Sequence, residues 1–303
     1  MDNAILQKFV SVTIFSLMFA MGINHSFQQL ISLWRQPALL IRSLLAVVVL
    51  VPLVVFLLLP LFDLPPTVAT GLAVLAAAPG APLTYKRTQM AGGDPDYVAS
   101  LQLTLALLAV LVTPCILAIF YAQFELAIER VSPFQVMRQI GEVTFLPVII
   151  GLLVQRLAPK LAKVIAKPVQ KIANVLFVLL LVLIVVILAI APNLRAMLNL
   201  GGMPIAAILI MAAAALAIGH LMGVPPRQQR SALATACIAR NVGLALYIAG
   251  LCDYGQQVIP TLLTYMIAGA ILALPYSVWN KRQIRVMAAP MAGKGSSDNR
   301  FRK

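Results

Sequence analysis

Arg240 and Asn241 are adjacent polar residues in the middle of a largely apolar segment, residues 231–250. A guanidinium at the centre of a bilayer costs about 2.5–3.5 kcal/mol on insertion scales. Such a residue usually faces a polar cavity or a partner, so Arg240 is a candidate for binding an anion or for replacing a bound cation. A structural role stays open, in which Arg240 caps the carbonyl groups of an unwound neighbouring helix.

A second apolar segment is interrupted far upstream. Its prolines remove backbone donors, and its glycine tolerates a distorted backbone. A helix that restarts after such a break directs N–H groups and a positive dipole end at the break, which favours an anion. Paired interruptions in the two halves of a chain indicate a transporter site. The candidate substrate-binding residues are therefore Pro79, Gly80, Thr84, Tyr85, Lys86, Arg240 and Asn241. Lys86 and the following Arg87 have an alternative role as charges at the membrane surface.

The elements that must position these residues are transmembrane helices. Hydrophobic residues make up 61% of the 303 residues, charged residues 11%, and the mean hydropathy is +0.96. A soluble domain has about a quarter of its residues charged, so we predict an all-α polytopic membrane protein. Nine apolar segments can cross a hydrocarbon core of about 30 Å: residues 8–25, 38–62, 67–90, 97–121, 139–157, 172–193, 203–223, 231–250 and 257–280.

The net charge of +14 reflects membrane topology rather than nucleic-acid binding. Most basic residues fall on one side of the nine predicted spans, and basic loops face the cytoplasm. This places the N-terminus outside and the C-terminus in the cytoplasm. Residues 1–280 form one transmembrane domain, and residues 281–303 form a basic cytoplasmic tail. The lysines of residues 158–171 recur every three or four positions, as in a helix lying on the membrane surface.

Signatures of an enzyme are missing from the sequence. It contains no Gly-x-Ser-x-Gly, His-Glu-x-x-His or nucleotide-binding loop, and no paired intramembrane aspartates. We therefore expect neither catalysis nor a cofactor or metal centre. Proton coupling stays open, with Glu142 as its one plausible intramembrane carboxylate.

The two interruptions carry a resemblance that extends over nearly all spans. The chain resembles the bile acid:sodium symporter family in Ala78-Pro79-Gly80-Ala81-Pro82 and in Arg240-Asn241-Val242-Gly243-Leu244-Ala245. It is similar also at residues 18–23, 91–94, 107–110, 113–114, 146–147 and 151–152. The resemblance implies an inverted repeat with two broken helices that cross near the midplane. It also implies a core domain (spans within 38–121 and 203–280) and a mobile panel domain (8–25 and 139–193).

The chain departs from the family at the positions that bind sodium. Sodium-binding members have Ser-Asn where this sequence has Thr84-Tyr85, and Glu-x-Gly-x-Gln-Asn where it has Ala236-Cys237-Ile238-Ala239-Arg240-Asn241. A glutamine of the second span aligns with Val47, and hydroxyl ligands of the fourth span align with Val98 and Gln102. A carboxylate has been lost and a cation gained, which argues against a sodium site of the family's kind.

These features predict a secondary transporter that carries a small organic anion by alternating access, without the family's usual sodium coupling. Two alternatives remain: a sodium-coupled symporter of bile-acid-like anions with altered ligands, and a non-transporting membrane sensor or scaffold on the same fold. The expected partners are the anion and the lipid bilayer, with no nucleic acid. Short loops favour the bacterial inner membrane as the location.

Overall fold

All the regular secondary structure in the described part of the chain is helical. The computed structural model describes residues 3–82, 84–126, 132–190, 200–251 and 255–294. Fourteen α-helices lie in these ranges: α1 Asn3–Asn24, α2 Phe27–Trp34, α3 Pro37–Leu44, α4 Val51–Leu58, α5 Pro66–Ala77, α6 Thr84–Met90, α7 Pro95–Gln123, α8 Pro133–Ile140, α9 Leu146–Leu157, α10 Pro159–Ile190, α11 Gly202–Met222, α12 Arg227–Ile238, α13 Val242–Ala249 and α14 Gly255–Lys294. Two π-helical stretches, Leu45–Leu50 and Gly141–Phe145, join α3 to α4 and α8 to α9.

Eight helical segments are long and apolar enough to cross a bilayer, and α5 is a shorter apolar helix. Their outer faces carry exposed aliphatic side chains, such as Val178, Val182 and Val185 of α10. Lipid tails solvate such faces, and helices satisfy their backbone groups internally, as a bilayer requires. The prediction of an all-α polytopic membrane protein is confirmed.

Several helix bounds differ from the predicted spans. The predicted third span is split into α5 and α6, and the predicted eighth is split into α12 and α13. Residues 158–171 do not form a separate helix, because α10 runs without interruption from Pro159 into the sixth span. The last helix continues to Lys294, into the predicted tail, and residues 295–303 lie outside the described part of the chain.

Helices α1, α9 and α10 pack against one another. The contact between α1 and α9 is a backbone-to-backbone approach at two glycines. A Cβ added at Gly22 would lie 2.3 Å from the carbonyl oxygen of Val148, and one added at Gly151 would lie 2.6 Å from that of Phe19. Only residues without a side chain permit this approach.

The broken helices belong to a second group of packed elements. Helix α11 contacts α12 and α14, α5 contacts α7 and α14, and α6 contacts α7 and α12. Residues 231–249, which contain the second break, are all buried. Because protein surrounds both breaks, their free backbone groups are kept away from lipid.

Candidate functional site

The two breaks meet. Between α5 and α6 the chain passes through residues 78–82, and between α12 and α13 it passes through residues 239–241. The backbone N–H of Asn241 donates to the carbonyl of Ala78 at 3.0 Å, and its side-chain amide donates to the carbonyl of Gly80 at 3.2 Å. The two interruptions therefore form a hydrogen-bonded crossing.

Prolines explain why carbonyl groups are free at this crossing. In an α-helix the N–H of residue i+4 donates to the carbonyl of residue i. Pro79 and Pro82 stand at the i+4 positions of Leu75 and Ala78, and proline has no N–H. The first break therefore leaves the Ala78 carbonyl without a helical donor and the Leu75 carbonyl with only an i+3 bond from the N–H of Ala78 at 3.2 Å. The second break supplies a donor to each of them.

A third proline acts in the same way on the second span. In the π-helical stretch Leu45–Leu50 the donor for residue i is at i+5, as in the bond from Val51 N–H to Ala46. The corresponding donor for Val47 would be Pro52, which has no N–H. The Val47 carbonyl is therefore free to accept from another element.

The guanidinium group of Arg240 supplies donors to carbonyl groups at these two proline-induced interruptions. Its Nε donates to the Leu75 carbonyl at 3.0 Å, its Nη1 donates to the Val47 carbonyl at 3.0 Å, and its Nη2 donates to the Ala76 carbonyl. Only 3% of Arg240 is exposed. Its charge lies at the C-terminal end of α5, where the helix dipole is negative. The guanidinium is thus a cation held among carbonyl oxygens, the capping role that the sequence left open.

The other helix ends at the crossing are also capped. The Oδ1 atom of Asn241 accepts from the N–H of Leu244 at 3.0 Å, which caps α13. The hydroxyl of Tyr265 donates to the Ile238 carbonyl at 2.9 Å at the end of α12. These bonds fix both arms of the second break.

A small cavity lies against the crossing. It has a volume of about 60 Å³, and its wall combines residues of α1 and α10 with residues of both breaks. One water needs about 10–15 Å³ on this measure, so the cavity is large enough for only a few waters. The polar residues of its wall are Thr84, Arg87, Arg240, Asn241 and Tyr265.

The structure brings some of the predicted site residues together and separates others. Thr84, Arg240 and Asn241 line the cavity. Pro79 and Gly80 are buried in the break and shape it without lining the cavity, and Gly80 has a φ of +78°.

Two further candidates face away from the cavity. Tyr85 is half-buried, with its ring centroid 5.7 Å from that of His25. Lys86 is exposed. Glu142, the candidate for proton coupling, is exposed and paired with Arg138 at 3.1 Å.

Two polar residues of the cavity wall were missing from the predicted set. Arg87 is half-buried and lines the cavity, although its neighbour Lys86 had been chosen. The spacing could have revealed it, because positions i and i+3 share a helix face and Thr84 is three residues before Arg87. Tyr265 had no such signal, since a tyrosine in an apolar helix is common.

The fold and the crossing define a polytopic helical membrane protein in which two broken helices meet beside a cavity. The sequence pattern of the Sodium Bile acid symporter family matches residues 11–194, more than half of the chain. The chain belongs to this family. The match includes the first break, whereas Arg240 and the second break lie beyond it.

A curated relative from Bacillus subtilis (strain 168) is described as "Uncharacterized sodium-dependent transporter YocS". It is 26% identical over 150 residues, which are 50% of this chain and 46% of the relative. The chain thus matches less than half of the relative's length.

Proposed function

We propose that the chain is a secondary transporter of a small organic anion that works by alternating access and is not coupled to sodium in the family's usual way. The observation that carries this proposal is the Arg240 guanidinium, held by the carbonyls of Val47, Leu75 and Ala76 in the wall of the cavity. The fixed cation stands where a bound sodium would otherwise supply positive charge.

The charge of the cavity favours an anion. Two arginines, Arg87 and Arg240, line it, and no aspartate or glutamate is among the described residues of its wall. A unit charge about 4 Å from a guanidinium interacts by about 4 kcal/mol at an effective dielectric near 20. An organic carboxylate or sulfonate fits this charge. Three N–H groups of Arg240 bond to carbonyls, which leaves two for a ligand.

The same interaction opposes sodium. The carbonyl oxygens of Val47, Leu75 and Ala76 already accept from Arg240. Those of Ala78 and Gly80 already accept from Asn241. A sodium ion about 4 Å away would be repelled by about 4 kcal/mol, which corresponds to roughly a thousandfold in affinity. Ala236, where sodium-binding relatives have a carboxylate, offers no compensation.

Alternating access is supported by the way the cavity is built. One wall comes from α1 and α10, which pack with α9. The other comes from the crossing together with α6 and α14. A cavity of about 60 Å³ is far below the roughly 300 Å³ of small ligand pockets. Loading the site therefore requires the α1–α9–α10 group to move relative to the crossing, as a panel moves against a core. We place the protein in the bacterial inner membrane, with the N-terminus outside and the C-terminus in the cytoplasm.

A sodium-coupled symporter is the second candidate, because the Bacillus subtilis relative is described as sodium-dependent. Thermal stability of the purified protein separates the two. We expect no difference between sodium chloride and choline chloride at constant ionic strength. A rise that saturates with sodium and is absent with choline refutes the sodium-independent proposal and establishes the symporter.

Transport requires a matched pair of variants in proteoliposomes. Arg87→Gln removes a cavity cation without touching the crossing, and Lys86→Gln removes an adjacent, exposed cation. We expect a panel of small carboxylates and sulfonates to include a transported anion, whose KM rises about tenfold in Arg87→Gln and is unchanged in Lys86→Gln. Uptake that is insensitive to Arg87→Gln contradicts the site assignment. If no anion binds or is taken up, the remaining explanation is a non-transporting membrane sensor or scaffold.

A further inference from the structure

A second cluster of basic residues lies at the start of α12, away from the crossing. Arg227 and Arg230 occupy the first turn of this helix, three positions apart and so on one face. No side chain caps this end, where the N-cap residue is Pro226, and the first turn contains no acidic residue. Cations are unfavourable at the positive end of a helix dipole. An anion at this position would be favoured by the arginines and by the helix end together.

Both arginines are incompletely satisfied. They are half-buried, and the buried atoms Arg227 Nη1 and Arg230 Nε have no hydrogen-bond partner among the described residues. Neither arginine forms an ion pair within the described ranges, in which Arg138 and Glu142 make the one salt bridge. Buried donors without acceptors are costly. The cluster therefore lacks an acceptor with negative charge.

Aromatic residues of α14 form the other side of the cluster. The guanidinium carbon of Arg227 lies 5.3 Å from the centre of the Trp279 ring. Trp279 is 43% exposed, and its neighbour Tyr276 has its hydroxyl 2.9 Å from His220 Nδ1. Tryptophan and tyrosine gather at the level of lipid headgroups. The arginines therefore lie at the depth where phosphate groups of lipids are found.

We propose that Arg227 and Arg230 bind the phosphate of an anionic phospholipid. The planar guanidinium fork makes paired hydrogen bonds to phosphate oxygens, and Trp279 holds the Arg227 fork by a cation–π contact. The bound phosphate accepts from the other guanidinium nitrogens of the two half-buried side chains and offsets two positive charges at a positive helix end. This site does not depend on the transport function.

Native mass spectrometry of the detergent-solubilised protein tests the site with phosphatidylglycerol, phosphatidylcholine and inorganic phosphate as probes. We expect a phosphatidylglycerol adduct in preference to phosphatidylcholine. Its apparent affinity should fall about tenfold or more in Arg227→Gln/Arg230→Gln. The control Lys281→Gln/Arg282→Gln removes the same charge from two exposed neighbours and should change the affinity less than about threefold.

Three outcomes overturn the proposal. Equal losses in both double variants indicate only general attraction to the basic surface. Equal binding of phosphatidylcholine removes the selectivity for an anionic lipid. Displacement of phosphatidylglycerol by low millimolar inorganic phosphate identifies a site for a soluble anion. If the glutamine variant does not fold, Arg227→Lys/Arg230→Lys replaces it; lysine lacks the paired donors, so affinity must fall at least about threefold, and unchanged affinity refutes the site.

Discussion

Replacing Arg240 with methionine tests whether the guanidinium holds the crossing together. Methionine has a similar length and no donor, so Arg240→Met removes the hydrogen bonds to Val47, Leu75 and Ala76. Leu75 keeps a bond from the N–H of Ala78 at 3.2 Å. The carbonyls of Val47 and Ala76 lose the N–H donor that Arg240 supplies.

Two opposing free-energy contributions determine how much stability the Arg240→Met variant loses. Hydrogen bonds to a charged group contribute about 1.5–3 kcal/mol each, so three contribute about 4.5–9 kcal/mol. Burying the guanidinium in the membrane costs about 2.5–3.5 kcal/mol, which the substitution recovers. The hydrogen-bond contribution is larger than the recovered cost of burial, so the expected net loss of stability is about 1–6.5 kcal/mol. At about 2 °C per kcal/mol for a chain of this size, the melting temperature falls by about 2–13 °C.

Thermal unfolding in detergent, followed by intrinsic fluorescence, measures this loss. The matched control is Arg87→Met, which removes the other arginine of the same cavity. Among the described residues, the Arg87 side chain has no hydrogen-bond partner. We expect the control to change stability by less than about 1 kcal/mol. If Arg240→Met melts at or above the wild-type temperature, the carbonyl contacts do not stabilise the crossing, and the fixed-cation explanation is refuted.

Three further perturbations have defined outcomes. Arg240→Gln with Ala236→Glu removes the cation and adds a carboxylate, so a sodium-specific rise in melting temperature should appear; no response to sodium contradicts the replacement of sodium by Arg240. Gly22→Leu should destabilise by about 1–3 kcal/mol or more, because its Cβ would lie 2.3 Å from a carbonyl oxygen of α9, whereas Gly269→Ala, with its nearest neighbour at 3.8 Å, should not. Burial lowers the pKa of His25 despite its hydrogen bond to Met21 and the nearby Asp96, so the folded state favours the neutral ring and binds fewer protons than the unfolded chain. Stability should therefore fall as the pH drops below about 6.5, and a His25→Gln variant should lose this dependence.

The sequence predicts the breaks well because their signals are local. Pro79 and Pro82 interrupt an apolar run, and Arg240 is a lone charge in another. Each feature is unfavourable in a continuous lipid-facing helix. Both segments therefore had to be interrupted or buried, and the structure shows both.

The partners of Arg240 could not be predicted in this way. They lie 164 to 193 positions away in the chain, and carbonyl groups leave no mark in the sequence. The sequence could not show whether Lys86 or Arg87 lines the cavity, for a different reason. Adjacent cations project from different faces of a short helix, and only the docking of α6 against its neighbours decides which one lines the cavity.

A cation that is covalently part of the chain has a consequence for energetics. Sodium that enters with a substrate brings the free energy of its own gradient, whereas Arg240 stays in the protein and brings none. On the proposed function each turnover moves the net charge of the anion across the membrane. A potential of 100 mV contributes about 2.3 kcal/mol per elementary charge, or roughly fiftyfold at equilibrium. With a negative interior this favours export, so an uncoupled carrier of this kind is electrogenic and the membrane voltage biases it towards efflux.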